Sequence, residues 1–368
     1  MEPQVPPGAI HIQPLRGWPF LGTPMCSKRL SQASQHSPAI LIIGPSWVGD
    51  LMMAQSLFKV LKREQPAVNI DVLVPTWCDG LLKRMPEVRD VITHTVQHGQ
   101  LGWSERRRIA QALGAYQQAI VLPHSWKSAL IPFWANIPLR TGFRGEMRYG
   151  LLNDIRYLNQ SVLPRTVEQF VALGLPKSDS PISDPIPYPC LSPEKVDEAV
   201  LQRLGLDVLQ RPILALCPGA EYGPAKCWPL EYYATCAKHQ VKKGWQVWLF
   251  GSHKDRAIGN QIQALVGDGC INLCGETSLP EAVDLLALAQ TVISNDSGLM
   301  HVAAALDKPL IALYGSSSPD KTPPLSRYAQ VVSLALDCRP CYQRSCPMKH
   351  LNCLREIKPE QVLDLIDF

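Results

Sequence analysis

AILIIGPSWVGDLMMAQSLFKVLKRE, Ala39 to Glu64, joins a continuous apolar run to a glycine-bounded loop and then to an apolar pattern of helical period. A short run without polar alternation is expected of a strand buried on both faces. The same unit recurs downstream. NIDVLVP, DVITH and QAIVLP read as strands, and WCDGLLKRM, SERRRIAQALGA and SWKSALIPFWA as the helices between and after them. Strands alternating with helices predict a parallel sheet covered by helices on both faces.

Residues 176–193 hold six prolines and read as a linker. The alternation then restarts. PILALCPG, WQVWLFGS, CINLCG, TVISND and KPLIALYG are strands, with four helical segments between them and a closing helix at 358–368. A chain of 368 residues exceeds the roughly 250–300 that one core serves. The expected fold is therefore α/β, with two doubly wound, Rossmann-like parallel-sheet domains facing a central cleft. The expected bounds are 38–175 and 194–357, and residues 1–37, with six prolines and no lasting periodicity, are expected to be a disordered extension.

Composition narrows the function. Hydrophobic residues make up 46% and charged residues 18%, so the chain can build real cores. A net charge of +4 excludes a histone-like or acidic-tail protein, and no nucleic-acid partner is expected. No apolar run approaches a membrane span, and the first residues lack a secretory pattern, so a cytoplasmic protein is expected. Twelve cysteines in such a chain read mostly as reduced, small apolar residues, Cys217, Cys236 and Cys270 among them.

Ligands of such sheets bind beyond the carboxyl ends of the strands. The first such loop, Gly44–Leu51, nearly matches a phosphate loop, but Asp50 stands where the lysine belongs. Asp50 is either a helix-end charge or a general base at the cleft. Gly49 lets another molecule approach the backbone, and Ser46 and Trp47 would face an acceptor. In the second half, Gly219, Ala220 and Glu221 begin a fixed turn that ends on Lys226, a cation placed for a diphosphate unless it is merely a solvated surface lysine. Asp296, Ser297, Gly298 and His301 open a helix, where N–H groups favour an anion and Asp296 suits a ribose hydroxyl or a helix end. Ser252 and Lys254, with Glu276 and Thr277, end two neighbouring strands and are expected to complete a nucleotide-diphosphate site. Arg140, Arg144 and Arg148, with Lys127, form a basic stretch that Gly142 and Gly145 mark as a loop. It suits an acceptor phosphate or carboxylate, or is a solvated charged face. Cys338-x2-Cys341-x4-Cys346-x6-Cys353, with His350 inside it, matches a structural zinc site in count but not in a familiar spacing. A compact loop of reduced cysteines is expected there. No D-x-D pair and no G-x-G-x-x-G occur, so neither a metal nor a dinucleotide cofactor is expected in the reaction.

GPSWVGDLMMAQSLF, HSWKSALIPFWANIPLRTGFRGEMRYGLLND, CPGAEYGPAKCWP and SNDSGLMHVAAAL, in that order, resemble glycosyltransferase family 9. The likeness runs from about Ala39 to the end of the chain. It implies a GT-B fold and inverting transfer of L-glycero-D-manno-heptose from ADP-heptose to the first heptose of the lipopolysaccharide inner core of Gram-negative bacteria. The acceptor would be heptosyl-Kdo2-lipid A, met by peripheral contact at the cytosolic face of the inner membrane. By the motif, Asp50 matches the family's catalytic base, Lys226 its donor-phosphate lysine, and Asp296, Ser297, Gly298 and His301 its donor loop. A heptosyltransferase with another core acceptor, a GT-B nucleotide-sugar epimerase and a non-catalytic nucleotide-sugar sensor are the alternatives.

Overall fold

The computed structural model describes residues 10–14, 38–97, 99–206 and 211–366. The chain forms two compact units, one ending at Ser192 and the other starting at Pro193 and including the N-terminal strand. That strand is β1 (Ile10–Pro14).

The first unit contains β2 (Ala39–Ile43), β3 (Asn69–Pro75), β4 (Asp90–His94), β5 (Gln118–Val121), β6 (Leu139–Phe143) and β7 (Asp154–Arg156). They form one all-parallel sheet in the order β4-β3-β2-β5-β6-β7. The second unit contains β8 (Ile213–Cys217), β9 (Gln246–Leu249), β10 (Cys270–Asn272), β11 (Thr291–Asn295), β12 (Leu310–Tyr314) and β13 (Ala329–Leu334). Its order is β1-β13-β12-β11-β8-β9-β10, parallel except for β1. Counted from its own first parallel strand, each sheet runs 3-2-1-4-5-6. This is the doubly wound order, whose direction reverses once and leaves a crevice at the reversal. The reversal falls between β2 and β5 in one unit and between β8 and β11 in the other.

Burial explains the apolar runs. Every residue of β3, β8, β9, β11 and β12 is buried, as helices on both faces require. In the second unit Trp228, Tyr233, Cys236 and Ala237 pack on Leu214, Leu249, Ile293 and Leu313, together with Cys353, Leu354, Ile357 and Val362 near the chain end. The closing helix spans Pro359–Leu363, while Asp367 and Phe368 lie outside the described residues.

Three sequence expectations need revision. First, residues 10–14 belong to the fold. β1 pairs antiparallel with β13, Ile10 opposite Leu334 and Pro14 opposite Gln330. Without it β13, which is almost wholly buried, would be a bare sheet edge, and proline is tolerated where β1 itself forms the edge. The rest of 1–37 lies outside the described residues. Second, β13 itself extends the second sheet beyond the strand at Leu310–Tyr314. Third, the loop expected at Arg140–Tyr149 begins as strand β6. Gly142 fits inside that strand because a Cβ there would stand 3.1 Å from the Val121 carbonyl oxygen and 3.3 Å from the Arg148 guanidinium.

The proline-rich stretch has no regular structure, yet it is fastened to the first unit. The buried Gln55 amide donates to the Cys190 carbonyl at 2.7 Å and to Glu87 at 2.9 Å, and accepts from the Cys190 N–H at 2.9 Å. Ser192 N–H donates to the Arg84 carbonyl. Replacing Gln55 by Leu removes its two hydrogen bonds to the Cys190 backbone. We expect a loss of about 1–3 kcal/mol, since each hydrogen bond lost costs about 0.5–1.5. Urea unfolding should show the loss, and limited proteolysis should show faster cutting within residues 176–190.

Candidate functional site

In the second unit the crevice between β8 and β11 is closed by one side chain. Asn295, the last residue of β11, donates to the Pro218 carbonyl at 2.6 Å and accepts from Trp228 N–H and the Tyr233 hydroxyl, both at 3.0 Å. It is fully buried and ties both ends of the 218–228 loop to β11. The next residue carries the charge. Asp296 is 4% exposed and accepts from the Lys226 ammonium at 2.5 Å and from the Ser317 hydroxyl at 2.5 Å. The Lys226 ammonium also lies 5.0 Å from the centre of the Tyr222 ring. Lys226 is thus a partly buried, carboxylate-paired cation and not a solvated surface lysine.

Helix Gly298–Ala305 starts beside this pair, with Ser297 as its N-cap residue and its first N–H groups turned outward from the turn. Ser297 Oγ lies 3.3 Å from Ser294 Oγ. His301, one turn into the helix, is buried, and burial pushes it down to about 4. The Asp296 carboxylate opposes that shift, and Lys226 adds to it. His301 is therefore a neutral imidazole at pH 7.

The neighbouring loops meet but hold themselves. Gly219 lies against the Asp255 carboxylate. Ser252 and Asp255 form a capping box, so the Ser252 hydroxyl is engaged at 2.7 Å. Lys254 pairs with Glu221 and Arg256 with Glu276 at the surface. Ala220 and Thr277 are half-exposed. β10 is the outer strand, so the Glu276–Thr277 loop is the one farthest from the crevice in strand order. Sequence reading missed Asn295 and Ser317 as members of the site. The GSSS run after β12 ends a strand on the same sheet edge as the other loops, and that signal was available.

In the first unit helix Val48–Glu64 begins directly after β2, at the sheet reversal. Its N-cap is Trp47, which makes no side-chain capping bond, and Asp50 is its one first-turn acid. The helix dipole stabilises the ionised form of a carboxylate placed there, which serves either role considered for Asp50. Gly49 and Asp50 are half-buried, and Ser46 and Trp47 are exposed. Across the reversal lies the loop after β5. The Lys127 ammonium donates to the Gly99 carbonyl at 3.0 Å.

The three arginines do not act as one acceptor-holding set. Arg148 is 1% exposed, and its guanidinium donates to the Pro123 and Phe143 carbonyls and to Ser128 Oγ. Burial lowers it to about 10. It locks the loop after β5 to the end of β6. Arg140 donates to the Leu151 and Ile137 carbonyls at 2.7 and 2.6 Å. Only Arg144 is exposed, stacked 5.6 Å from the Tyr157 ring. The turn beyond β6 and the loop after β5 must be held in one shape, and buried arginines supply the donors those carbonyls lack.

One Rossmann-type sheet thus offers a helix-end carboxylate, and the other a paired lysine beside a helix N-terminus. Residues 106–352 match glycosyltransferase family 9 (heptosyltransferase), and the chain belongs to that family. It is 49% identical over 335 residues to the lipopolysaccharide heptosyltransferase 2 of Salmonella typhimurium, covering 88% of this chain and 96% of that protein. The Haemophilus influenzae lipooligosaccharide heptosyltransferase 2 is 49% identical over 306 residues, covering 80% and 88%. The structure of the Escherichia coli ADP-heptose lps heptosyltransferase II superposes with a TM-score of 0.78 at 44% identity, covering 89% of this chain and 97% of that one. The fold is GT-B-like, and the chain is a glycosyltransferase. Among the described residues no helix is long and apolar enough to cross a membrane.

Breaking the Lys226–Asp296 pair on one side leaves a buried charge alone. Lys226→Met and Asp296→Asn should each cost about 3–5 kcal/mol, and the double variant should recover most of the loss, measured as a double-mutant cycle by urea unfolding. His301 supplies a pH signature. An unfolded histidine takes a proton near 6.5, but the folded one only near 4. Its contribution to stability is full above about 6.5 and is lost as pH falls toward 4. Unfolding free energies at pH 7 and pH 5 should differ more in the native chain than in His301→Gln.

Proposed function

We propose that this chain is an inverting, metal-independent heptosyltransferase that moves L-glycero-D-manno-heptose from ADP-heptose to the first heptose of the lipopolysaccharide inner core. The observation that carries this reading is the buried Lys226–Asp296 pair at the sheet reversal of the second unit, beside the Ser297–Gly298 helix start. A protonated lysine and outward N–H groups fit a nucleoside diphosphate and neutralise the charge that grows on it as a leaving group. Family membership and 47–49% identity to proteins named heptosyltransferase 2 support the sugar and the acceptor class.

The reaction follows from these parts. Asp50 takes the proton from the acceptor hydroxyl as its oxygen bonds to the anomeric carbon. The bond from that carbon to the diphosphate oxygen breaks on the opposite face, and ADP departs with the bonding pair. The sugar centre inverts. Asp296 holds Lys226 in place. Gly49 leaves room at the backbone beside Asp50. The chain's own cations and amides do the work that a metal does in transferases built on a D-x-D pair.

The acceptor is a lipid, so the enzyme works by peripheral contact at the cytosolic face of the inner membrane. Exposed Trp103, Trp126 and Phe133, with Arg107 and Arg108 on the helix Trp103–Ala112, support that contact, because aromatic and basic residues suit a lipid headgroup layer.

Incubation with ADP-heptose and a lipopolysaccharide core ending at its first heptose should add the mass of one heptose to the lipid, read by mass spectrometry. Asp50→Asn should lower turnover by about 10²–10⁴-fold while ADP affinity, measured by calorimetry, stays unchanged. Turnover that survives this substitution would assign Asp50 to the helix end alone.

A further inference from the structure

The segment from Cys338 to Cys353 has no regular structure before the short helix Asn352–Arg355, yet four thiols line one small cavity within it. Cys338, Cys341, Cys346 and Cys353 share that cavity of about 20 Å³ with His350 and Ala225. Cys353 is buried, as are Cys78, Cys190, Cys217, Cys236, Cys270 and Cys274, whereas Cys338 is exposed and Cys341 and Cys346 are half-exposed; Cys227, outside the segment, is half-exposed too. Packing accounts for Cys353, which lies in the core, but not for Cys338, Cys341 and Cys346 in the irregular loop.

The backbone around them is held in an uncommon shape. Tyr342, directly after Cys341, and Lys349 and Leu351, between Cys346 and Cys353, have φ of +52°, +59° and +53°. Each left-handed non-glycine residue costs on the order of 1 kcal/mol and persists only where its surroundings hold it. His350 Nδ1 accepts from Asn352 N–H at 2.9 Å, so the thiols remain as the ligand set. Cys338-x2-Cys341 has the spacing of half a tetrathiolate site. Arg339 and Arg344, within the segment, offset negative charge.

The loop also braces the site described above. Ala225 N–H donates to the Arg344 carbonyl at 3.0 Å, and a Cβ on Gly223 would stand 2.5 Å from that oxygen. The Tyr222 hydroxyl donates to the Tyr342 carbonyl at 2.6 Å, and the Tyr222 ring carries Arg344 on it as well as Lys226. Arg339 donates to the Gly315 and Ser317 carbonyls at 2.7 and 2.8 Å, and Ser317 holds Asp296.

We propose that Cys338, Cys341, Cys346 and Cys353 bind one thiophilic metal ion, Zn²⁺ or Fe²⁺, that fixes this loop against the turn carrying Lys226. Among the described residues no three such side chains already stand placed to hold an ion. Binding therefore gathers the sulfurs by side-chain rotation. The four thiols release four protons, and the divalent ion and four thiolates form a site of charge −2. The ion is structural and takes no part in the transfer. The proposal departs from the sequence expectation of a loop of reduced cysteines. The link to donor binding rests on the function proposed above, but the metal site does not.

The full chain, purified without a metal-affinity step under reducing conditions, should carry about one zinc or iron per chain by plasma mass spectrometry, the two metals being counted separately. Reconstitution with Co²⁺ should give the visible bands of a tetrahedral four-thiolate ion. Cys341→Ser and Cys346→Ser should each abolish stoichiometric metal and weaken ADP binding about tenfold by calorimetry. Metal below a tenth per chain, both as purified and after addition of Zn²⁺, Fe²⁺ and Co²⁺ to the native chain, overturns the site. That readout needs no variant to fold and no catalytic turnover. Bound metal with no heptose transfer would instead fault the proposed function and leave the metal site standing. Bound metal with unchanged ADP affinity in the metal-free variants would overturn the bracing role.

Discussion

A cation and a carboxylate taken out of water together hold the second unit's site in register. Lys226 and Asp296 come from loops 70 residues apart in the chain, yet the strands they follow, β8 and β11, are adjacent in the sheet. Isolating either charge in a dry interior is far costlier than keeping them paired. Any displacement of one loop relative to the other is therefore opposed. The consequence reaches outward. Asn295 must sit where it can hold both ends of the 218–228 loop, Ser317 must present its hydroxyl, and His301 must stay neutral so as not to bring a second cation against Lys226.

The first unit reaches rigidity by a different route. Its crevice-side loop is irregular, and irregular backbone exposes carbonyls that need donors. Arg148 supplies several from one planar head, buried where a lysine's single ammonium could not span the same carbonyls. What looked in the sequence like a basic face for an anionic acceptor is in part internal scaffolding, with Arg144 as its exposed member. Charge count alone does not separate the two roles, because both use arginine for the same reason, its forked array of donors.

Legibility in the sequence followed the distance over which each decision is made. The alternation of strands and helices, the loops after β2, β8 and β11, and the pairing of Asp50 with a helix start are local patterns, and all were readable. β13 was missed because AQVVSL mixes polar and apolar residues, and its assignment depends on β12 on one side and β1 on the other. β1 was hidden inside a proline-rich stretch whose composition outweighed five residues. Ser317 and Asn295 were missed because their partners lie 21 and 62–77 residues away, and no spacing rule reaches that far. Arg148 was misassigned because its partners are carbonyls, which leave no trace in residue identity.

The two units share one strand order, yet the loops after their first strands differ in charge: the one after β2 carries Asp50 at a helix start, and the one after β8 carries Lys226. Beside Lys226, the helix that follows β11 starts at Ser297 and Gly298, and the Asp296 carboxylate before them is taken up by the lysine. A helix N-terminus attracts whichever anion is present. A carboxylate in the first helical turn fills that end, whereas one already paired with a lysine leaves the helix N–H groups beside it uncompensated. One strand order thus carries two differently charged loop sets, set by single residues and not by the architecture.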